Sequence, residues 1–419
     1  MAKNKKEMTP EERLAAALVP EEEQPYELPK GWKWVRIGKI FIDVTDSQKK
    51  IKQKEYLLKG KWPVIDQGQH FIGGYSDADE LIYTDELPVI IFGDHTRNVK
   101  YIDFQFIQGA DGVKVLKPQS FIYSKFLFWL LKGLPFPSLG YRRHFPVLKK
   151  MFAPLPPLDE QQRLVARIES LFAKLDAAKE KVQAVLDAHE TRKATLLHDA
   201  FAGKLTAKWR EARGVTGDVY QSMPLADVCK SIFDGDHMPP PKSSRGIPFL
   251  VISNVNKGKL DFSETRFVPQ DYYDKLTDTR KPESGDVLYT LVGTYGIPVL
   301  VDTDQAFCFQ RHMALLKPKE DVILQRYLWY ALQEKDFYRE ATRIAKGTAQ
   351  LTVPIKGLRQ LTIPMASLPE QQEIVAVLDR LLGREEEVRQ SAESVLAAID
   401  SMKQSILARA FRGELGVGA

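Results

Sequence analysis

The chain writes one long helical segment twice, 210 positions apart. Leu158 opens L-D-E-Q-Q-R-L-V-A-R-I and Leu368 opens L-P-E-Q-Q-E-I-V-A-V-L, and both copies close on A-F-x-G-x-L at residues 200–205 and 410–415. Residues 158–205 and 368–415 align without a gap at 16 identities in 48 positions, so the segment is a duplication. A helix duplicated inside one polypeptide makes two similar halves without dimerising. It suits a partner present in two copies, or a target with two half-sites.

Each copy carries an apolar seam. In the first, Leu164, Ile168, Leu171, Leu175, Ala178, Val182 and Val185 follow alternating steps of four and three. In the second the seam is Ile374, Leu378, Leu381, Val388, Ala392, Val395, Ile399, Met402 and Ile406, interrupted at Glu385. A 3.5-residue average marks a face that packs on another helix. Neither copy has a proline after its first turn, so each helix is expected to run roughly 60–65 Å at ~1.5 Å per residue.

Between and before the copies lie two blocks of short β-like runs. In the first, residues 62–66, 87–92 and 112–116 read as strands separated by glycine turns, and 122–131 as a helix. The second repeats it loosely: Val89-Ile90-Ile91 against Val287-Leu288-Tyr289, Val115-Leu116-Lys117-Pro118 against Leu315-Leu316-Lys317-Pro318, Trp129 against Trp329, Pro154 against Pro364. The boundaries read 1–24 polar with a short helix at 10–18, 25–156 first head, 157–205 first long helix, 206–218 linker, 219–366 second head, 367–415 second long helix, 416–419 tail.

The net charge of +5 is uneven. Residues 28–155 hold 20 Lys/Arg against 12 Asp/Glu, residues 219–366 hold 19 against 17, and the rest 21 against 26. A basic first head suits a polyanion, because each phosphate contact releases condensed counterions; a solvated basic surface is the plain alternative. No run approaches the ~20 apolar residues of a membrane helix. The lysine-rich start lacks the apolar core of a secretory signal. Two cysteines, Cys229 and Cys308, are too few for a disulfide framework or a structural zinc site, so a reducing cytoplasm is expected.

Catalytic signatures are missing. There is no G-x-x-x-x-G-K-[ST] loop, no G-x-G-x-x-G after a strand, no D-P-P-Y or N-P-P-Y tetrapeptide and no H-E-x-x-H. The cluster around His237 reads as a self-bonded loop rather than a metal site. A non-enzyme without cofactor is expected.

Taken together, these motifs resemble the specificity subunit of type I restriction-modification enzymes. The likeness rests on P-x-G-W-x-W-x-x-I-G (residues 29–38), the two L-x-E-Q-Q-x-[IL]-V helix starts, the two A-F-x-G-x-L ends, and the order head, helix, head, helix. The resemblance implies an α+β fold: two target-recognition domains of mixed sheet with short helices, separated by two long antiparallel helices as a coiled-coil-like spacer, with pseudo-twofold internal repetition. It further implies that each head reads half of a bipartite, asymmetric double-stranded DNA target. Two methyltransferase subunits would dock on the chain and restriction subunits would join the assembly. S-adenosylmethionine, adenine-N6 methylation, ATP hydrolysis and cleavage would belong to those companions. The rival reading is a coiled-coil adaptor that bridges two proteins without touching DNA.

Arg or Lys to guanine and Asn or Gln to adenine are the favoured base pairings, while basic side chains also hold phosphates. The expected DNA contacts in the first head are Arg97 and Asn98, then Tyr141, Arg142, Arg143 and His144. In the second they are Lys242, Ser244 and Arg245; Thr294 and Tyr295; Gln310 and Arg311; and Lys346, Thr348 and Gln350. The helix-start residues Glu160, Gln161, Gln162, Glu370, Gln371 and Gln372 suit capping, and are also candidates for anchoring the heads or contacting a partner.

Overall fold

The computed structural model describes residues 8–109, 112–136, 142–215, 220–237, 240–348 and 350–415. It divides into unit 1, Met1–Gln183 with Ser394–Ala419, and unit 2, Ala184–Glu393. Each unit therefore takes one head, one part of the first long helix and one part of the second.

Among the described residues unit 1 contains nine strands: β1 (Lys33–Arg36), β2 (Phe41–Asp43), β3 (Trp62–Ile65), β4 (Gly74–Ser76), β5 (Val89–Gly93), β6 (Val99–Ile102), β7 (Ile107–Gln108), β8 (Val113–Pro118) and β9 (Phe152–Leu155). They form sheets ordered β2-β8-β5-β6 and β4-β3-β7 plus the pair β1-β9. Unit 2 contains β10 (Gln221–Pro224), β11 (Cys229–Asp234), β12 (Ile247–Leu250), β13 (Arg266–Val268), β14 (Val287–Thr290), β15 (Pro298–Leu300), β16 (Cys308–Phe309), β17 (Met313–Pro318) and β18 (Thr362–Met365). Its sheets are β11-β17-β14-β15, β13-β12-β16 and β10-β18, the same order strand for strand. In each head a single parallel pair, β3 with β7 and β12 with β16, sits among antiparallel ones. The three strand runs expected in the first head fall on β3, β5 and β8, and the expected helix at 122–131 is Ser124–Gly133.

The sequence match of Trp129 to Trp329 is one residue out of register. Gln161 accepts from Tyr123 N–H, and Gln371 accepts from Leu324 N–H, the residue before each head helix, so the helices align at an offset of 201. One residue has been added between the matched strand ends Pro118 and Pro318 and the helices, a change a loop absorbs.

The long helices are Leu158–Asp187 continuing as His189–Phe201, and Leu368–Ala410. The first is marked by one irregularity at Ala188 (φ −81, ψ −10), where the seam turns polar at His189 and Arg192. Ala188 N–H still bonds Ala184 C=O (3.2 Å) and Arg192 N–H bonds Ala188 C=O (3.0 Å), so the helix continues across it. Both stop before their A-F-x-G-x-L glycines. Gly203 (φ 73) and Gly413 (φ 77) adopt the left-handed conformation that L side chains resist. Lys204 N–H then closes on Asp199 C=O at 2.8 Å, and Glu414 N–H on Arg409 C=O at 2.9 Å.

Within unit 1 the helices run antiparallel, since Asp176 pairs with Lys403 and Lys179 Nζ sits 3.0 Å from Asp400 Oδ1. Within unit 2 Arg192 Nε sits 2.7 Å from Glu385 Oε2. Burial along the seam alternates beyond the heads: Ala392 and Ile399 are buried, while the positions between them pass to their neighbours. Leu164, Ile168, Ile374, Leu378 and Ile399 are buried, and Leu171, Leu175, Val182 and Leu381 half-buried. Val185, Val388, Val395 and Met402 are exposed instead, and Leu186, Arg389, Leu396 and Lys403 are half-buried. Arginine and lysine can lay aliphatic stems along a seam and keep their charges at its rim, an option that a hydrophobicity pattern does not see. Lys403 sets its ammonium over the Phe172 ring, Nζ 5.2 Å from the centroid, and pairs with Asp176.

Each head core is completed by the far end of a long helix. In unit 1, Leu407, Ala410 and Phe411 join Phe126, Leu130, Leu164 and Ile168. In unit 2, Leu197, Ala200 and Phe201 join Tyr327, Leu328, Ile374 and Leu378. The edge-on pairs Phe126–Phe411 (5.7 Å) and Phe201–Tyr327 (5.2 Å) give the paired phenylalanines of the A-F-x-G-x-L endings their role.

Both cysteines lie in unit 2 and are buried, which pushes each thiol up to about 12. At pH 8 the native chain should therefore leave both unmodified by a thiol-reactive disulfide reagent, because the thiolate is the reacting form. Two equivalents should react as unit 2 unfolds in denaturant. Fast labelling of native protein would contradict this packing.

Candidate nucleic-acid interface

Of the four helix-start glutamines, Gln161 and Gln371 are buried and hydrogen-bonded to their heads. Gln161 is 1% exposed; its carbonyl accepts from Tyr123 N–H at 2.8 Å, and its amide donates to Phe121 C=O (3.2 Å) and Pro156 C=O (3.0 Å). Gln371, fully buried, repeats all three bonds: Leu324 N–H at 2.9 Å, Val322 C=O at 3.0 Å, Ala366 C=O at 2.9 Å. Each caps the helix of its head, whose first N–H groups have no intrahelical acceptor. Gln162 and Gln372 are exposed. Glu160 and Glu370 diverge. Glu160 is partly exposed, whereas Glu370 is buried and its Oε1 accepts from Arg210 (2.6 Å), Thr206 (2.7 Å) and Tyr220 (2.8 Å). Burial pushes the Tyr220 hydroxyl up to about 12, so it remains a donor at neutral pH.

On this frame each head presents a row of loops stitched backbone to backbone. In unit 2 Gln310 N–H meets Leu250 C=O (3.0 Å), Leu291 N–H meets His312 C=O (2.8 Å), and Gly293 N–H meets Leu351 C=O (3.0 Å). Asp236 bridges to Gln310. The four candidate stretches of the second head, distant in sequence, are thus neighbours. Lys242, Gln310 and Arg311 share one pocket of about 340 Å³ with Arg266 and His237 over a floor of Phe249 and Val268. Ser244, Arg245, Thr294, Lys346, Thr348 and Gln350 are exposed, and Ala349 lies outside the described residues. Tyr295 is half-buried: it stacks on Tyr338 (5.6 Å, 7° between planes) and donates to Thr342 Oγ1 (3.1 Å). His312 is half-buried too; burial, then Arg311, hold its imidazolium below the usual range.

Unit 1 repeats the row. Gly109 N–H meets Ile65 C=O (2.8 Å), Asp94 N–H meets Gly112 C=O (2.7 Å), and His144 N–H meets Asp94 C=O (2.8 Å). The last bond brings the turn of Arg97 beside Arg142 and Arg143, all three exposed. His144 does not belong with them. It is 2% exposed, and its Nδ1 lies 3.0 Å from Asp94 C=O, so it joins the two loops from beneath. Asp94 Oδ1 also accepts from Phe145 N–H at 2.8 Å. Asn98 is committed as well, its amide donating to Gln67 C=O at 2.8 Å. Tyr141 lies outside the described residues. Arg97 takes φ 61, so its side chain leaves the turn on a strained, fixed backbone. From Arg97, Asn98 and Lys100 a cleft of about 940 Å³ runs to Lys132 and Lys403. Burial, then Lys403, pull the Lys132 ammonium below its ordinary value, while Asp176 in the same cleft pairs with Lys403 and Asp66 lies 3.5 Å from Lys100.

Sequence reasoning missed Gln67, which braces the Arg97 turn, and Arg266. It also missed a lysine run, Lys49, Lys50, Lys52, Lys54, Lys59 and Lys61, six of the 20 basic residues in the first block.

Residues 29–187 and 218–393 each match the family model of the type I restriction modification DNA specificity domain. The chain belongs to that family. Relatives include the EcoKI specificity subunit of Escherichia coli strain K12, 23% identical over 430 residues, covering 93% of this chain and 90% of that protein. The EcoBI specificity subunit of Escherichia coli is 26% identical over 281 residues, covering 64% of this chain and 59% of that one. Two solved structures share the fold at 21% identity. A chain from a study of assembly and conformational transition in the type I R-M system has a TM-score of 0.68, with 93% of this chain and all of that one covered. The HsdS subunit of Thermoanaerobacter tengcongensis has a TM-score of 0.56, with coverage of 94% and 100%. The duplicated family match follows the two-unit division, as the resemblance implied. Among the described residues no helix is long and apolar enough to cross a membrane.

Proposed function

We propose that this specificity chain reads a bipartite, asymmetric DNA sequence, one half with each head, and contributes no chemistry of its own. The observation that carries the reading is the pair of loop rows: the same nine-strand head, built twice, holds up two sets of exposed polar and basic residues that differ. One scaffold repeated with different letters suits two unlike half-sites. The paired helices set the gap between the letters, and two methyltransferase subunits dock on the chain, with restriction subunits joining that assembly in the cytoplasm. The anchoring of Gln161 and Gln371 supports this, since a head fixed to its helix can hold a spacing that a flexible linker cannot.

Selecting duplexes from a random library with the full chain and its methyltransferase should enrich two short conserved stretches at a fixed gap. Binding should weaken steeply with salt. A single contiguous motif overturns the bipartite reading. No enrichment and no salt dependence would establish the protein adaptor instead. Labelled S-adenosylmethionine with the chain alone should leave DNA unmethylated.

A further inference from the structure

The least expected surface in unit 1 is the turn before β3. Leu58 is 97% exposed and Leu57 44% exposed, although a leucine in water gives up the free energy its burial would supply. The turn is firmly mounted. Leu57 and Tyr75 exchange backbone hydrogen bonds at 2.8 and 2.9 Å, and Lys61 N–H donates to Asp77 Oδ1 at 2.7 Å. Lys61 Nζ pairs with Asp79 at 2.8 Å. Gly60 is needed beneath it, because a Cβ there would come within 3.0 Å of Tyr75 Cβ. Around the tip Lys52, Lys54 and Lys59 are exposed and make no ion pair among the described residues; Glu55 is the acid in their midst.

Unit 2 gives this turn a counterpart. Ser243 N–H bonds Phe267 C=O at 3.0 Å on β13, as Leu57 bonds Tyr75 on β4. Leu58-Lys59-Gly60 therefore occupies the place of Ser244-Arg245-Gly246. The second tip offers hydrogen bonds and a guanidinium, while the first offers a bare isobutyl group flanked by cations. Lysines around a rigid apolar tip fit a polyanion whose interior is apolar: stacked base pairs behind phosphates. A protein partner would not need that ring of uncommitted charge.

We infer that Leu58 is a wedge that enters a base step of the half-site read by unit 1, with Lys54 and Lys59 on the flanking phosphates. Apolar side chains that part base steps unstack and kink the duplex. This rests on the DNA-reading function proposed above and adds to it an asymmetry between the heads: that of unit 1 parts a base step with an apolar side chain, and the tip of unit 2 meets its half-site with polar side chains.

The test uses the full chain with its methyltransferase and a duplex enriched in the selection, carrying 2-aminopurine at successive positions other than the methylated adenines, which the methyltransferase extrudes whatever Leu58 does. Wild type should raise fluorescence at one step in the half-site of unit 1. Leu58→Ser should abolish that signal and weaken binding about tenfold, the scale of one buried leucine. Lys59→Ala should keep the signal and reduce the salt slope by about one. Enrichment without any unstacked step overturns the wedge and leaves the proposed function standing; failure to enrich any duplex removes both. Affinity lost on replacing thymine by uracil, with no unstacking, would make Leu58 a methyl reader instead. Loss of methyltransferase binding by Leu58→Ser would place the tip in a protein interface, again overturning the wedge.

Discussion

Replacing Gln371 by leucine should destabilise unit 2 by roughly 3–5 kcal/mol. The substitution keeps the volume but leaves Leu324 N–H and two carbonyls without their partner in a fully buried site, at about 1–3 kcal/mol for each orphaned group. For a unit of this size that is a fall in melting temperature on the order of 10 °C. Gln161→Leu should do the same to unit 1, because the bonding pattern is the same. Gln162→Leu and Gln372→Leu, one residue along and exposed, should change stability by less than about 0.5 kcal/mol. Denaturant titration followed by thiol labelling separates the units, since Cys229 and Cys308 both report on unit 2. A loss under about 1 kcal/mol for Gln371→Leu would mean that the head is held to its helix by packing and by the Glu370 and Asp379 contacts instead.

The triple change Arg97→Ala, Arg142→Ala, Arg143→Ala should weaken DNA binding at least about 100-fold at physiological salt, and much more at low salt. Three exposed cations on two loops tied by the Asp94–His144 bonds form one patch, and each phosphate contact contributes about 0.9 to the slope of log affinity against log salt. The slope should fall by two to three if all three hold phosphates. If one is bidentate on guanine, the slope should fall by less and the library motif should lose a letter instead. Lys125→Ala is the control, because Lys125 pairs with Glu169 at 3.0 Å on the helix side of the head. A triple variant with unchanged affinity would move the interface elsewhere on unit 1. Asn98→Ala, by contrast, tests the Gln67 brace and should act through loop order rather than through a lost base contact.

Much of this was legible in the residues. The 210-residue repeat, the A-F-x-G-x-L glycines and the strand runs of the first head are local patterns, and local geometry follows from local chemistry. The E-Q-Q starts could be seen, but not that the middle glutamine is buried and its neighbour exposed, since capping and anchoring leave the same signature in sequence. His144 looked like a basic loop residue because a histidine's burial depends on what packs over it.

By itself the sequence determined the duplicated order of head and helix, the helix termini and the family, because periodicity, positive-φ glycines and repeated motifs need no long-range contact. Only the tertiary structure decided that each head core is closed by the end of the other repeat's helix, through Phe411 in unit 1 and Phe201 in unit 2. It alone set Lys403 rather than Met402 against the other helix, and drew four scattered loops of unit 2 into one row. Those outcomes rest on contacts between residues far apart in the chain, where amphipathic stems and single backbone hydrogen bonds outweigh a count of hydrophobic positions.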